Sequence, residues 1–246
     1  MLRVKRFFIV SILATLAFFL GSCLTNISSS IVNDIPPPVA SEPPTTASYV
    51  ANLGMMRGHL IVAKALLDQG TPEQAEPHLG HPVNEIYASV EEQLQTYKVP
   101  AFDENLDEIY NLAKYAPAAP EIKTGYTNSI EAINQAINAV PAEELQSVPF
   151  LRDVISEILE TAAVEYGASI AKNNKIVAKV EYQDARGFVL YVEELSQQTR
   201  LKENRAFNTA LQDLKDVFPS VNPPDAAVQP PEEFSNLVAQ LMSSIG

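Results

Sequence analysis

The sequence predicts an all-α fold, a helical bundle of antiparallel hairpins behind a disordered N-terminal tether. Three observations lead there. From Tyr49 onward apolar residues recur at intervals of three and four, the spacing of one face of an α-helix. Runs of β-branched residues bounded by Asn-Gly or Asp-Gly, the mark of hairpin strands, are missing. Prolines at 100, 117, 120, 141 and 149 fall between the periodic stretches, where they punctuate joints instead of breaking helices.

The first element, residues 1–22, reads as an export signal. Arg3, Lys5 and Arg6 precede the apolar run Phe7 to Leu20, which is shorter than the roughly 20 residues that span a bilayer but suits a signal core. Leu20, Gly21, Ser22 and Cys23 then resemble the lipobox of bacterial lipoproteins, and Cys23 is the chain's only cysteine. The resemblance implies cleavage before Cys23, acylation of that residue, and lipid anchoring to a bacterial membrane, facing the periplasm or the cell exterior. The same resemblance implies, from Leu24 in place of an aspartate after the cysteine, the outer membrane over the inner one in an organism that has both. Several acyl chains, each gaining about 0.8 kcal/mol per buried methylene, make such an anchor durable.

Residues 23–47 carry that lipidated cysteine and a Pro/Ser-rich tether, with Pro36, Pro37, Pro38, Pro43 and Pro44 among Ser, Thr and acids. Such a composition builds no core and favours extended conformations. The helical domain is expected over 48–218, a Pro-rich connector over 219–231 and a C-terminal helix over 232–246, which docks on the body or reaches a partner.

Within the domain, residues 58–82 resemble one tetratricopeptide-type helical hairpin. Leu66 and Leu67 close the first helix, Gly70 sits at the turn, and Ala75 and Leu79 take packing positions beyond it. His59 stands where the repeat commonly has an aromatic, and Pro82 replaces a small residue. One unit implies a hairpin but no solenoid, which needs at least three. Thr71, Pro72 and Gln74 are expected to cap the second helix, and Pro77 to bend or shorten it. Further stripes follow: Ile122, Tyr126, Ile130, Ile133, Ile137 and Val140; Leu151, Val154, Ile155, Ile158, Leu159 and Ala162; Phe188, Val192 and Leu195; Phe207, Leu211, Leu214 and Phe218; and Phe234, Leu237, Val238 and Leu241. Each needs a partner face, which a bundle supplies.

The hairpin also places chemistry. Folding at Gly70 and Thr71 sets His59 level with His81, each about 11 residues from the turn at 1.5 Å per residue. Glu85 lies one helical turn beyond His81, and Met55 one turn before His59. His59, His78, His81 and Glu85 are therefore candidate metal ligands for zinc, copper or iron, with Met55 in reserve, although no cofactor is certain from sequence. The plainer reading of the same stretch, HLGHPVNEIY, is a structural bend in which histidines cap carbonyls.

Residues 160–188 (ETAAVEYGASIAKNNKIVAKVEYQDARGF) read as two helices joined by a short turn. This stretch resembles extracytoplasmic helical segments attached to bacterial iron permeases, although the core iron-permease motif is absent. Glu165, Glu181 and Asp184 could offer oxygen ligands to a hard cation, or could be solvated and paired with Arg186.

The chain carries 17 basic and 30 acidic residues. Residues 1–22 hold three of the basic ones and no acid, so the mature chain is near −16. That charge repels nucleic acid. No GxSxG, P-loop or GxGxxG occurs among the nine glycines, and there is no tryptophan, so an enzyme is not expected. The functional expectation is a membrane-anchored helical protein-interaction or scaffold module with an envelope protein partner. The alternative is a periplasmic transition-metal-binding protein using the His/Glu cluster.

Overall fold

The computed structural model describes residues 45–245. The expected signal, the expected lipidation site Cys23 and most of the expected tether lie outside the described residues. The described part is an all-α bundle of helical hairpins, and its only β features are the isolated bridges Ile170–Ile176 and Lys175–Ala226.

The element at the centre is α1 (Thr46–Asp68), which packs on α2 (Pro72–His81), α5 (Glu121–Asn138), α7 (Val148–Ser169) and α8 (Lys179–Gln197). Apolar residues run almost all round α1, from Tyr49 and Val50 through Leu53, Met56 and Leu60 to Leu66, because neighbours cover most of its circumference. Thr45 caps it by accepting from Ser48 N–H at 3.0 Å. Its C-terminus closes on Gly70, whose φ of +72° only glycine adopts freely, with Gly70 N–H donating to Leu67 O and Thr71 N–H to Leu66 O, both at 3.0 Å.

Two local expectations are corrected here. Thr71 makes no side-chain cap on α2. Its hydroxyl donates to Leu66 O at 3.0 Å, serving an orphan carbonyl of the helix behind it. Nor does HLGHPVNEIY interrupt the helical backbone. Helical backbone runs on from α2 through a π-helical turn, Pro82–Ile86, into α3 (Tyr87–Thr96), with Tyr87 N–H donating to Pro82 O. Pro82 has no N–H for an α-type bond, and the wider turn absorbs the defect without ending the helix. Pro77 lies inside α2, again without ending it.

The hairpin of α4 (Asp103–Tyr115) and α5 packs on this first layer, α4 against α2 and α5 against α1. A short α6 (Ala142–Leu145) leads into α7, capped by Ser147, which accepts from Phe150 N–H. After α8 come a 3₁₀ turn (Arg200–Glu203), α9 (Arg205–Asp216) and α10 (Pro231–Ser243). The last helix packs on α7 and α9. Tyr166, Tyr182, Phe218 and Phe234 join these elements as an aromatic cluster, with Tyr166 stacked on Phe234 at 4.5 Å between centroids. The Tyr166 hydroxyl donates to Gln229 O and that of Tyr182 to Val217 O, so the far end of the proline-rich connector and the helix end just before it are tied to the bundle.

A candidate metal centre on a buried carboxylate

Helices α1 and α8 cross at van der Waals contact through two glycines. A Cβ on Gly187 would stand 2.4 Å from Gly58 O, and one on Gly58 would stand 2.7 Å from Phe188 Cδ1. No side chain can separate the backbones there, so the neighbouring residues, His59 on α1 and Asp184 one turn earlier on α8, are pressed together. The α1–α2 hairpin brings His78 and His81 to the same place, three residues apart and hence on one face of α2.

Asp184 is the hub. Its Oδ1 lies 2.7 Å from His59 Nδ1 and 2.7 Å from His78 Nδ1, and its Oδ2 lies 3.3 Å from His81 Nδ1. The imidazoles also meet one another, His59 and His81 edge to face at 4.8 Å between centroids, with Phe188 closing the other side of His59 at 5.0 Å. Outside the three imidazoles, Gln183 Oε1 is 3.0 Å from His78 Nε2. His78 is fully enclosed and Asp184 nearly so, while the His81 side chain keeps 24% of its surface exposed and marks the solvent side.

Burial alone would push the Asp184 carboxyl up. The neighbouring His59 and hydrogen bonds from His59, His78 and His81 outweigh it, holding the carboxyl well below the usual carboxylate range. Burial lowers the pKa of His59 despite the neighbouring carboxylate, which favours the neutral, ligating imidazole. For His81 burial also acts downward, but Asp184, Glu85 and Glu165 together pull its pKa above the ordinary value. Glu165 on α7 is pushed up to about 7 by burial and by the negative charges of Asp184 and Glu181.

One donor atom from each of His59, His78, His81 and Asp184 can be chosen so that all lie within 4.8 Å of one another. Two metal–ligand bonds of about 2.1 Å end to end nearly cover that span, and three imidazoles with one carboxylate suit a divalent transition metal. The residues present therefore fit such an ion.

The fold thus merges two sets of residues that the sequence kept apart. The three histidines come together, but Glu85 stays at the rim, its side chain 66% exposed and its Oε1 3.8 Å from His81 Nε2. Met55 is partly buried and packed against the core. Asp184 is neither solvated nor paired with Arg186: it is buried among imidazoles, and no ion pair joins it to Arg186. Sequence reasoning missed Gln183 entirely. A signal for Asp184 existed, because extending the stripe of Phe188, Val192 and Leu195 back by one turn lands an acid on an apolar face.

The family model of an iron permease-associated 4-helix bundle domain matches residues 141–246. That segment spans α6 to α10 and supplies Asp184 and Gln183, while the three histidines lie outside it. No curated protein matches the chain, and no solved structure does. No helix among the described residues is long and apolar enough to cross a membrane.

Proposed function

We propose that this chain is a lipid-anchored extracytoplasmic protein that binds a transition-metal ion, iron in its physiological setting, on His59, His78, His81 and Asp184, and works beside a membrane permease. The observation that carries the reading is the convergence of three imidazoles on one buried, ionised carboxylate. Three imidazoles supply nitrogen donors while the carboxylate supplies negative charge, the mixed set that a divalent transition-metal ion takes up.

The donor set favours a borderline divalent ion over calcium or magnesium, which prefer all-oxygen sites. The choice of iron rests on the similarity of residues 141–246 to an iron permease-associated domain, and so does the choice of a permease as partner. The ion is cargo in this reading, and the protein is a carrier with no reaction of its own. Attachment through Cys23 would hold the helical body near the membrane in which the permease sits. The helical-scaffold reading is retained in this form, as a surface that docks on the permease.

Anaerobic titration of the full chain with Fe(II), with Zn(II) and Ca(II) in parallel, tests the site. Stoichiometric binding of Fe(II) or Zn(II), lost in a His59→Ala/His81→Ala double variant, is expected; equal binding by that variant refutes the site. Cell fractionation of Cys23→Ser separately tests the anchor, which predicts release of the variant from membranes. Crosslinking in cells tests the partner, and capture of no permease subunit removes that part.

A further inference from the structure

We propose that Gln183, which would not touch the metal, selects Nδ1 as the atom that His78 presents to it. The inference rests on the metal-site reading above and concerns which nitrogen binds.

Gln183 is buried and its amide has no freedom to flip. Its Nε2 donates to the carbonyl of Val221 at 3.0 Å, and its Oε1 faces His78 Nε2 at 3.0 Å. Exchanging the two amide atoms would set the Gln183 oxygen against the Val221 oxygen. The orientation is therefore fixed by a backbone carbonyl, and Oε1 can only accept. His78 Nε2 must then carry a proton and donate it.

With Nε2 protonated, the remaining lone pair of a neutral His78 sits on Nδ1, 2.7 Å from Asp184 Oδ1. Two lone pairs at that distance repel, so Nδ1 and Oδ1 together offer a site to a positive centre. The Oδ1 atom is also the one shared with His59 Nδ1, which puts the preferred position of the ion on the Oδ1 side of the carboxylate. An outer hydrogen bond that fixes the tautomer of a ligand imidazole commonly changes metal affinity by about 10–100-fold. Here it also ties the ligand to Val221 in the proline-rich connector, so the connector's backbone holds the ligand's orientation.

The test is long-range ¹⁵N–¹H NMR of the full chain labelled at histidine, where only three side chains report and His78→Asn assigns the one of interest. In the metal-free protein His78 Nε2 should be protonated. In the Zn(II)-loaded protein Nδ1 should carry the shift of a metal-bound nitrogen while Nε2 keeps its proton. An unprotonated Nε2 in the metal-free chain, or ligation through Nε2, overturns the proposal. Gln183→Leu should lower Zn(II) affinity about 10–100-fold and scramble the tautomer. Unchanged affinity and tautomer in a folded Gln183→Leu would also overturn it. If the wild-type chain takes up no Zn(II), the metal-site reading fails by itself, and the metal-free spectrum still decides the role of Gln183.

Discussion

His59 and Asp184 are 125 residues apart in sequence and 2.7 Å apart in space, and the contact exists because Gly58 and Gly187 let two helices touch backbone to backbone. The site is therefore a property of a helix crossing. Its donors are supplied by α1, α2 and α8, and no one of these elements holds the carboxylate alone.

Gly187→Ala should damage fold and site together. The new methyl would meet Gly58 O and Val62 Cγ2, and backbone cannot step aside as a side-chain tip can. A cost of about 1–3 kcal/mol in urea denaturation is expected, with weaker Zn(II) binding as His59 and Asp184 separate. Unchanged values for both would mean that the crossing is looser than described.

Asp184→Asn and Glu85→Ala should behave very differently. The first removes the charge that all three imidazoles share, and at least about a 100-fold loss of Zn(II) affinity is expected, beyond the loss of any outer partner. The second removes a rim group in a weak, exposed contact worth less than ~1 kcal/mol, so affinity should stay within about 5-fold. Isothermal titration of the two variants separates an Asp184 hub from a Glu85 ligand.

Glu165 predicts a pH effect. Its pKa in the fold, about 7, lies above the ordinary 4.5, so the protonated form is the one the fold favours. Its contribution to stability is full below about pH 4.5 and is lost as pH rises through 7. Glu165→Gln should therefore be more stable than the wild type at pH 8, by about 1–2 kcal/mol after allowance for partial exposure, and equal to it near pH 4. Thermal melts of the metal-free proteins across that range measure the difference; a constant offset would assign the effect to something other than ionisation.

Gly70→Ala isolates backbone strain. Nothing lies within 4 Å of the added methyl, so only the φ of +72° resists it. A loss of about 1–2 kcal/mol is expected with metal affinity unchanged, read by denaturation and titration on one sample.

Several features were legible in the sequence because they depend on local spacing. The stripes Leu151 to Ala162 and Phe207 to Phe218 gave α7 and α9, since periodicity of 3.6 reports one buried face whatever covers it. The meeting of His59 with His81 followed from counting residues to a turn at Gly70. The continuous helix through Pro82 did not, because proline's effect depends on whether neighbours hold the wider turn in place.

By itself, then, the sequence determined an all-helical body, a hairpin at Gly70, and imidazoles near enough to meet. Only tertiary structure decided that Asp184, not Glu85, stands among them. The first set follows from short-range geometry along one chain. The second required knowing which face of α8 meets α1, and that is settled by packing: two glycines far apart in the chain give the closest approach, and the acid beside them is buried as a consequence.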